Sequence, residues 1–150
     1  MTITTLDELR VFAGREIAVT DWFEITQERI NQFADATDDH QWIHTDRERA
    51  QRESPYGTTI AHGFLTLSLL PQFLTEAVQL GDLRMAINYG LNRVRFPSAV
   101  RAGSRIRARI VLQSIRDLPD STEAIYGMTI ESVGAEKPCS VADWMARYYR

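Results

Sequence analysis

The sequence predicts an α+β fold in which one buried helix is wrapped by a curled antiparallel sheet. Three observations carry this. The segment IAHGFLTLSLLPQFLTEAV, Ile60 to Val78, is apolar on nearly every side for about five helical turns. Four strand-like runs follow it, and the breaks between them are short, which suits consecutive antiparallel strands better than crossover units.

Taken in order, the first element is REIAVTDWFEI, residues 15–25, whose loose alternation of Ile, Val, Trp and Phe suits a first strand. Thr26 can then cap a helix from Gln27 to about Ala36, with Ile30, Phe33 and Ala34 at the i, i+3, i+4 positions that face a core. DRERAQRE reads as an exposed helical segment with charge pairs. The apolar helix over 60–78 is too short and interrupted for a membrane span; Pro71 removes one backbone hydrogen bond and predicts a kink, and Gly81 marks the exit. Residues 84–96, 104–116, 122–133 and 138–149 are the remaining strands. Alternation is clearest in SRIRARIVLQSI, where Ile106, Ala108 and Ile110 face one way and Arg105, Arg107 and Arg109 the other. Turns fall at Pro97–Gly103, Asp117–Ser121 and Gly134–Lys137.

No repeat, low-complexity tract or Gly/Ser linker divides the 150 residues, so residues 1–150 are expected to form one domain. A formal charge of −3 gives no electrostatic reason to expect nucleic acid or an anionic membrane as partner. The N-terminal segment carries acidic residues where a secretory signal needs a basic start and an apolar run, which predicts a cytoplasmic protein. Cys139, the one cysteine, has neither a disulfide partner nor a Cys/His set around it and is read as packing.

The informative stretch is DATDDHQWIHTDRERAQRESPYGTTIAHG, between the first helix and the central one. Asp39 and His44 are five apart, which on a helix points them about 140° from each other and on a strand to opposite faces. They are expected to converge only in a loop, and Thr, Asp, Asp, His and Gln after a helix suit one. A carboxylate and an imidazole around one water can share the proton transfers of a hydration without a metal: one draws a proton from the attacking water, the other orients the water or supplies a proton to carbon. A backbone N–H would stabilise the enolate oxygen of a thioester attacked at C3. Gly63, opening the buried helix and lacking a side chain, is placed to supply it.

TDDHQWIHTD followed by TIAHGFLTLSLL closely resembles the MaoC-like, (R)-specific enoyl-CoA hydratase family, in particular its NodN-like branch. That family's motif is G-D-x-N-P-L-H; here Asp39 matches its aspartate, Gln41 its asparagine, Ile43 its aliphatic position and His44 its histidine, and Ala61, His62 and Gly63 match a later A-H-G. NYGLNRVRFPSAVRAGSRIRA resembles the strand and turn after the family's central helix, so the likeness spans roughly residues 15–115. The resemblance implies a hotdog fold, a homodimer, an acyl-CoA thioester substrate, and reversible syn hydration of a trans-2-enoyl-CoA to the (3R)-3-hydroxyacyl-CoA, with no metal or other cofactor. It assigns water activation to Asp39 and His44, the oxyanion N–H to Gly63, and help in orienting substrate or water to Gln41. Asp38 departs from the motif's glycine; it puts a second carboxylate beside Asp39 and a Cβ where a positive φ is expected, and is expected to retune the site rather than abolish it.

His62 is read either as a pocket-wall histidine bonded to backbone or as a direct substrate contact, and His40, at the motif's variable position, as structural or exposed. Of Phe64, Leu65, Leu67 and Leu70, most are expected in the core, with Phe64 the first candidate to line an acyl chain. Asn92 is a candidate substrate contact; Arg93 and Arg95 read either as phosphate ligands or as the solvated face of a strand. Two rival functions stand beside hydration: a hotdog thioesterase, which would release free thiol, and a non-catalytic acyl-CoA-binding subunit, which would bind without turnover.

Overall fold

A computed structural model describes residues 2–150. The chain runs α1 (Leu6–Arg10), β1 (Arg15–Val19), β2 (Phe23–Glu24), α2 (Gln27–Thr37), α3 (Trp42–Thr45), α4 (Arg47–Glu53), α5 (Gly63–Ser68), α6 (Leu70–Thr75), β3 (Met85–Arg95), β4 (Arg105–Asp117), β5 (Thr122–Ser132) and β6 (Ser140–Tyr149). All strands join one antiparallel sheet in the order β1-β4-β5-β6-β3, with β2 also on β4. This is the expected α+β, hotdog-like arrangement: α5 and α6 lie against the sheet's inner face. That face is built as alternation dictates, from Ile106, Ala108, Ile110 and Leu112 on β4, Tyr126 and Met128 on β5, and Trp144 and Tyr148 on β6. Arg105, Arg107 and Arg109 lie on the other face, where Glu131 receives Arg107 at 2.8 Å and Arg109 at 2.7 Å.

Four expectations are corrected. The strand over 15–25 is two, because the Thr20 hydroxyl accepts the Ala108 N–H at 2.9 Å and interrupts the ladder between β1 and β2. The helix over 60–78 is also two: residues 60–62 are extended, with Ile60 bridged to Arg101, and the helix breaks at Leu69 because Pro71 has no N–H to continue it. Nor is it buried all round. Leu65, Leu70, Phe73 and Leu74 face the core while Phe64, Ser68, Pro71 and Gln72 are exposed, an amphipathic pattern that the density of apolar residues concealed. Finally, β3 pairs with β6 rather than with its successor β4. The Pro97–Gly103 stretch is therefore a crossing connection, not a hairpin turn, and it pins the segment before α5: Ala61 N–H donates to Val100 O at 2.8 Å and Ala102 N–H to Thr59 O at 2.9 Å.

Among the described residues no helix is long and apolar enough to cross a membrane.

Candidate active site

The site is assembled by three short turns. α2 begins where Thr26 Oγ accepts the Arg29 N–H at 3.1 Å and ends at Asp38, which takes the left-handed conformation (φ 58°, ψ 21°). That reversal delivers Asp39, with its exposed carboxylate, to the head of the next turn, where Oδ1 accepts the Gln41 N–H at 3.4 Å. The one-turn helix α3 then carries His44 inward, so the convergence expected of a loop is completed by a helical turn. Neighbouring pieces hold α3 in place: the Gln27 side chain donates to His44 O at 2.7 Å and accepts the Thr59 hydroxyl, and the Arg49 guanidinium lies 4.4 Å from the Trp42 ring centroid.

His44 is buried, and its Nδ1 lies 2.7 Å from Ile60 O. A carbonyl only accepts, so Nδ1 carries the proton and the neutral ring keeps a lone pair on Nε2. Burial is the largest influence on this imidazole and holds its pKa below the ordinary 6.5; the Ile60 carbonyl and Asp39 oppose the shift and His62 adds to it. His62 is stacked behind it, ring centroids 3.8 Å apart and planes 24° from parallel, with Nε2 donating to Asp39 O at 3.0 Å and lying 4.0 Å from Asp39 Oδ2.

Asp39, His44 and His62 thus offer nitrogen and oxygen atoms within 4.8 Å of one another. Stacked rings send their in-plane lone pairs side by side rather than toward one point, and His62 Nε2 is occupied by a carbonyl. The arrangement favours proton handling over coordination.

Gly63 follows at the start of α5. Its N–H has no acceptor among the described residues, and a Cβ there would lie 2.9 Å from the Phe96 ring, so only glycine allows this approach. His44, Tyr56, Gly63, Thr66, Phe96 and Cys139 line a common cavity of about 470 Å³. Burial pushes the Cys139 thiol up to about 12, and its Sγ donates to Ile130 O, in keeping with packing.

Of the other residues singled out in the sequence, Gln41 caps α3 through its backbone, its carbonyl accepting the His44 N–H at 3.0 Å. Phe64 is 67% exposed and meets the cavity only indirectly, its ring edge-on to Phe96 at 6.1 Å. Asn92 sits on β3 opposite Asp143, outside this cavity's lining. Arg93 is exposed with φ 55° and Arg95 is exposed, so neither belongs to the cluster. His40 is exposed and bonded to Asp35 at 3.0 Å. Gln27, Tyr56, Phe96 and the Ile60 carbonyl had no signal in the sequence, because each acts through contacts distant along the chain.

A hotdog-like sheet over a short helix pair thus carries an Asp39–His44–His62 cluster, with His44 and the free Gly63 amide lining one cavity and Asp39 and His62 standing outside its lining, an arrangement suited to acid–base chemistry. The chain belongs to the MaoC-like dehydratase family: the MaoC-like domain matches residues 11–133. It is 48% identical to 3-hydroxyacyl-thioester dehydratase Z of Mycobacterium tuberculosis over 98% of this chain and 97% of that one. It is 44% identical to nodulation protein N of Rhizobium meliloti over 95% and 89% of the two chains. Among solved structures, the (R)-hydratase from A. caviae involved in PHA biosynthesis superposes with a TM-score of 0.71 at 19% identity, over 89% of this chain and 94% of that one. The chain is a hydro-lyase with hydratase/dehydratase chemistry.

Proposed function

We propose that this hydro-lyase adds water reversibly to trans-2-enoyl-CoA, giving the (3R)-3-hydroxyacyl-CoA, with Asp39 and His44 as the acid–base pair and Gly63 N–H as the oxyanion donor. The observation that carries this is the Nδ1–H to Ile60 O bond, because it leaves His44 Nε2 as a free base within the Asp39 cluster.

A water held by the Asp39 carboxylate gives a proton to His44 Nε2 as its oxygen bonds to C3. Electron density moves through C2 to the thioester oxygen, which the Gly63 N–H receives. The imidazolium then returns a proton to C2, and the Asp39 carboxylate stabilises its charge meanwhile. Both new bonds form on the face that this pair addresses, so addition is syn; dehydration is the same path reversed. Gln41 keeps a supporting role in orienting substrate or water, and Phe64 and Asn92 are at most peripheral contacts. The 48% identity to a 3-hydroxyacyl-thioester dehydratase supports this choice of substrate class.

The same reading takes the chain as one hotdog unit that works as a homodimer. β3 is a sheet edge whose outer side is unpaired and whose Met85, Ile87, Tyr89 and Leu91 are exposed, next to the exposed flank of α5.

The test is to supply crotonyl-CoA and a longer enoyl-CoA, follow loss of the enoyl-thioester absorbance, and couple the product to (R)- or (S)-specific 3-hydroxyacyl-CoA dehydrogenases. Product oxidised only by the (R)-specific enzyme, without free thiol, is expected. Thiol release would establish the thioesterase instead, and binding without turnover the non-catalytic subunit.

A further inference from the structure

We propose that His62 is a positioning residue for the acid–base pair, fixing Asp39 through its backbone and bracing the ring of His44. The assignment rests on the hydratase reading of that pair. His62 is 2% exposed, so it has no surface to offer a substrate. It is nonetheless more than a space-filling residue. Its Nε2–H donates to Asp39 O at 3.0 Å, reaching from the N-cap of α5 back across to the turn after α2, a separation of 23 residues. That bond sets the height of the Asp39 Cα, and hence of its carboxylate, relative to the cavity.

The second contact is the stack on His44 at 3.8 Å. One ring edge of His44 is held by Ile60 O and one face by His62, so rotation of the ring about its side-chain bonds is opposed on both counts and Nε2 keeps one direction. Behind His62 the Phe33 ring, 4.9 Å away, closes the stack from α2. His62 Nδ1 is buried without a partner, a cost that an apolar residue at this position would avoid; the Asp39 bond and the stack are what the imidazole provides in return.

The charged and titratable groups facing His44 are Asp39 from the turn after α2, His62 at the start of α5, and Tyr56 and Cys139 around the cavity; Gln27 meets only its carbonyl. Of these, His62 alone opposes the imidazolium directly.

Two variants of the full chain separate positioning from packing: His62→Leu, which loses the donor and the ring, and His62→Gln, which keeps an N–H donor but cannot carry charge. With crotonyl-CoA, His62→Leu is expected to lower kcat about 10- to 100-fold with KM changed by less than about threefold, and His62→Gln to recover part of that loss. In long-range ¹H–¹⁵N spectra the His44 titration midpoint is expected to rise in His62→Gln, since the repulsion from the second imidazole is gone. If His62→Leu does not fold, His62→Gln and the spectra decide. A kcat within about threefold of wild type in His62→Leu, no advantage of Gln over Leu, or an unmoved His44 midpoint in His62→Gln would overturn the proposal. Wild type that fails to hydrate enoyl-CoA while the midpoint still shifts would sink the hydratase reading and leave the positioning role standing.

Discussion

At the scale of single residues, the account turns on a neutral imidazole. Burial lowers the His44 pKa, so Nε2 is unprotonated through the neutral range and is lost as a base only when pH falls through that lowered value. The acidic limb of kcat/KM for hydration is therefore expected below 6.5, activity rising with pH; a pH–rate profile with its limb at or above 6.5 would show that His44 is not the base described. Asp38 yields a second prediction. At φ 58° a Cβ is strained, less for Asp than for most residues, so Asp38→Ala should be less stable than Asp38→Gly by about 1 kcal/mol in denaturant melts. Equal stability would mean that the turn is not held in this conformation. The convergence of Asp39 and His44 was legible in the sequence through the motif shared with the MaoC-like family, since an Asp and a His five apart are by themselves an ordinary loop pair. The partner of His44, a carbonyl at Ile60, was not, since every residue has a carbonyl and only the fold selects one.

At the scale of elements, the site depends on the segment before α5, residues 60–62, being extended and pinned rather than helical. The sequence was legible where a local device decides the structure: Thr26 caps its helix, and alternation orients β4. It was opaque where a distant contact decides, as with the crossing connection that ties residues 59–61 to 100–102. This close packing makes Gly63→Ala informative, because its Cβ must displace the Phe96 ring. A fall in kcat of about 10²-fold is expected, comparable to loss of one oxyanion donor, with the fold retained by circular dichroism. A kcat within threefold of wild type would show that the Cβ is accommodated without moving the residue-63 N–H, so that the close approach to Phe96 is not what sets the site.

For the whole molecule, the unpaired β3 edge is the outstanding feature. A strand of this length with exposed Ile87, Tyr89 and Leu91 is the kind of edge that proteins cover. Sedimentation velocity is expected to place the wild type at twice the chain mass of 17.2 kDa and the Ile87→Asp, Leu91→Asp double variant at the monomer. A monomeric wild type would contradict the homodimer. The fold class was legible from the succession of one apolar helix and four strands, whereas the pairing of β3 with β6 was not, since alternation reports which face is buried and never which neighbour lies beside it.

The most direct test of the central claim compares wild type with Asp39→Asn and His44→Ala in the enoyl-thioester absorbance assay, on crotonyl-CoA and on a longer enoyl-CoA, with free thiol measured in parallel. The account predicts hydration by wild type, a loss of at least about 10²-fold in kcat in each variant, and no thiol. Hydration surviving in either variant at near wild-type rate would contradict the assignment of the pair.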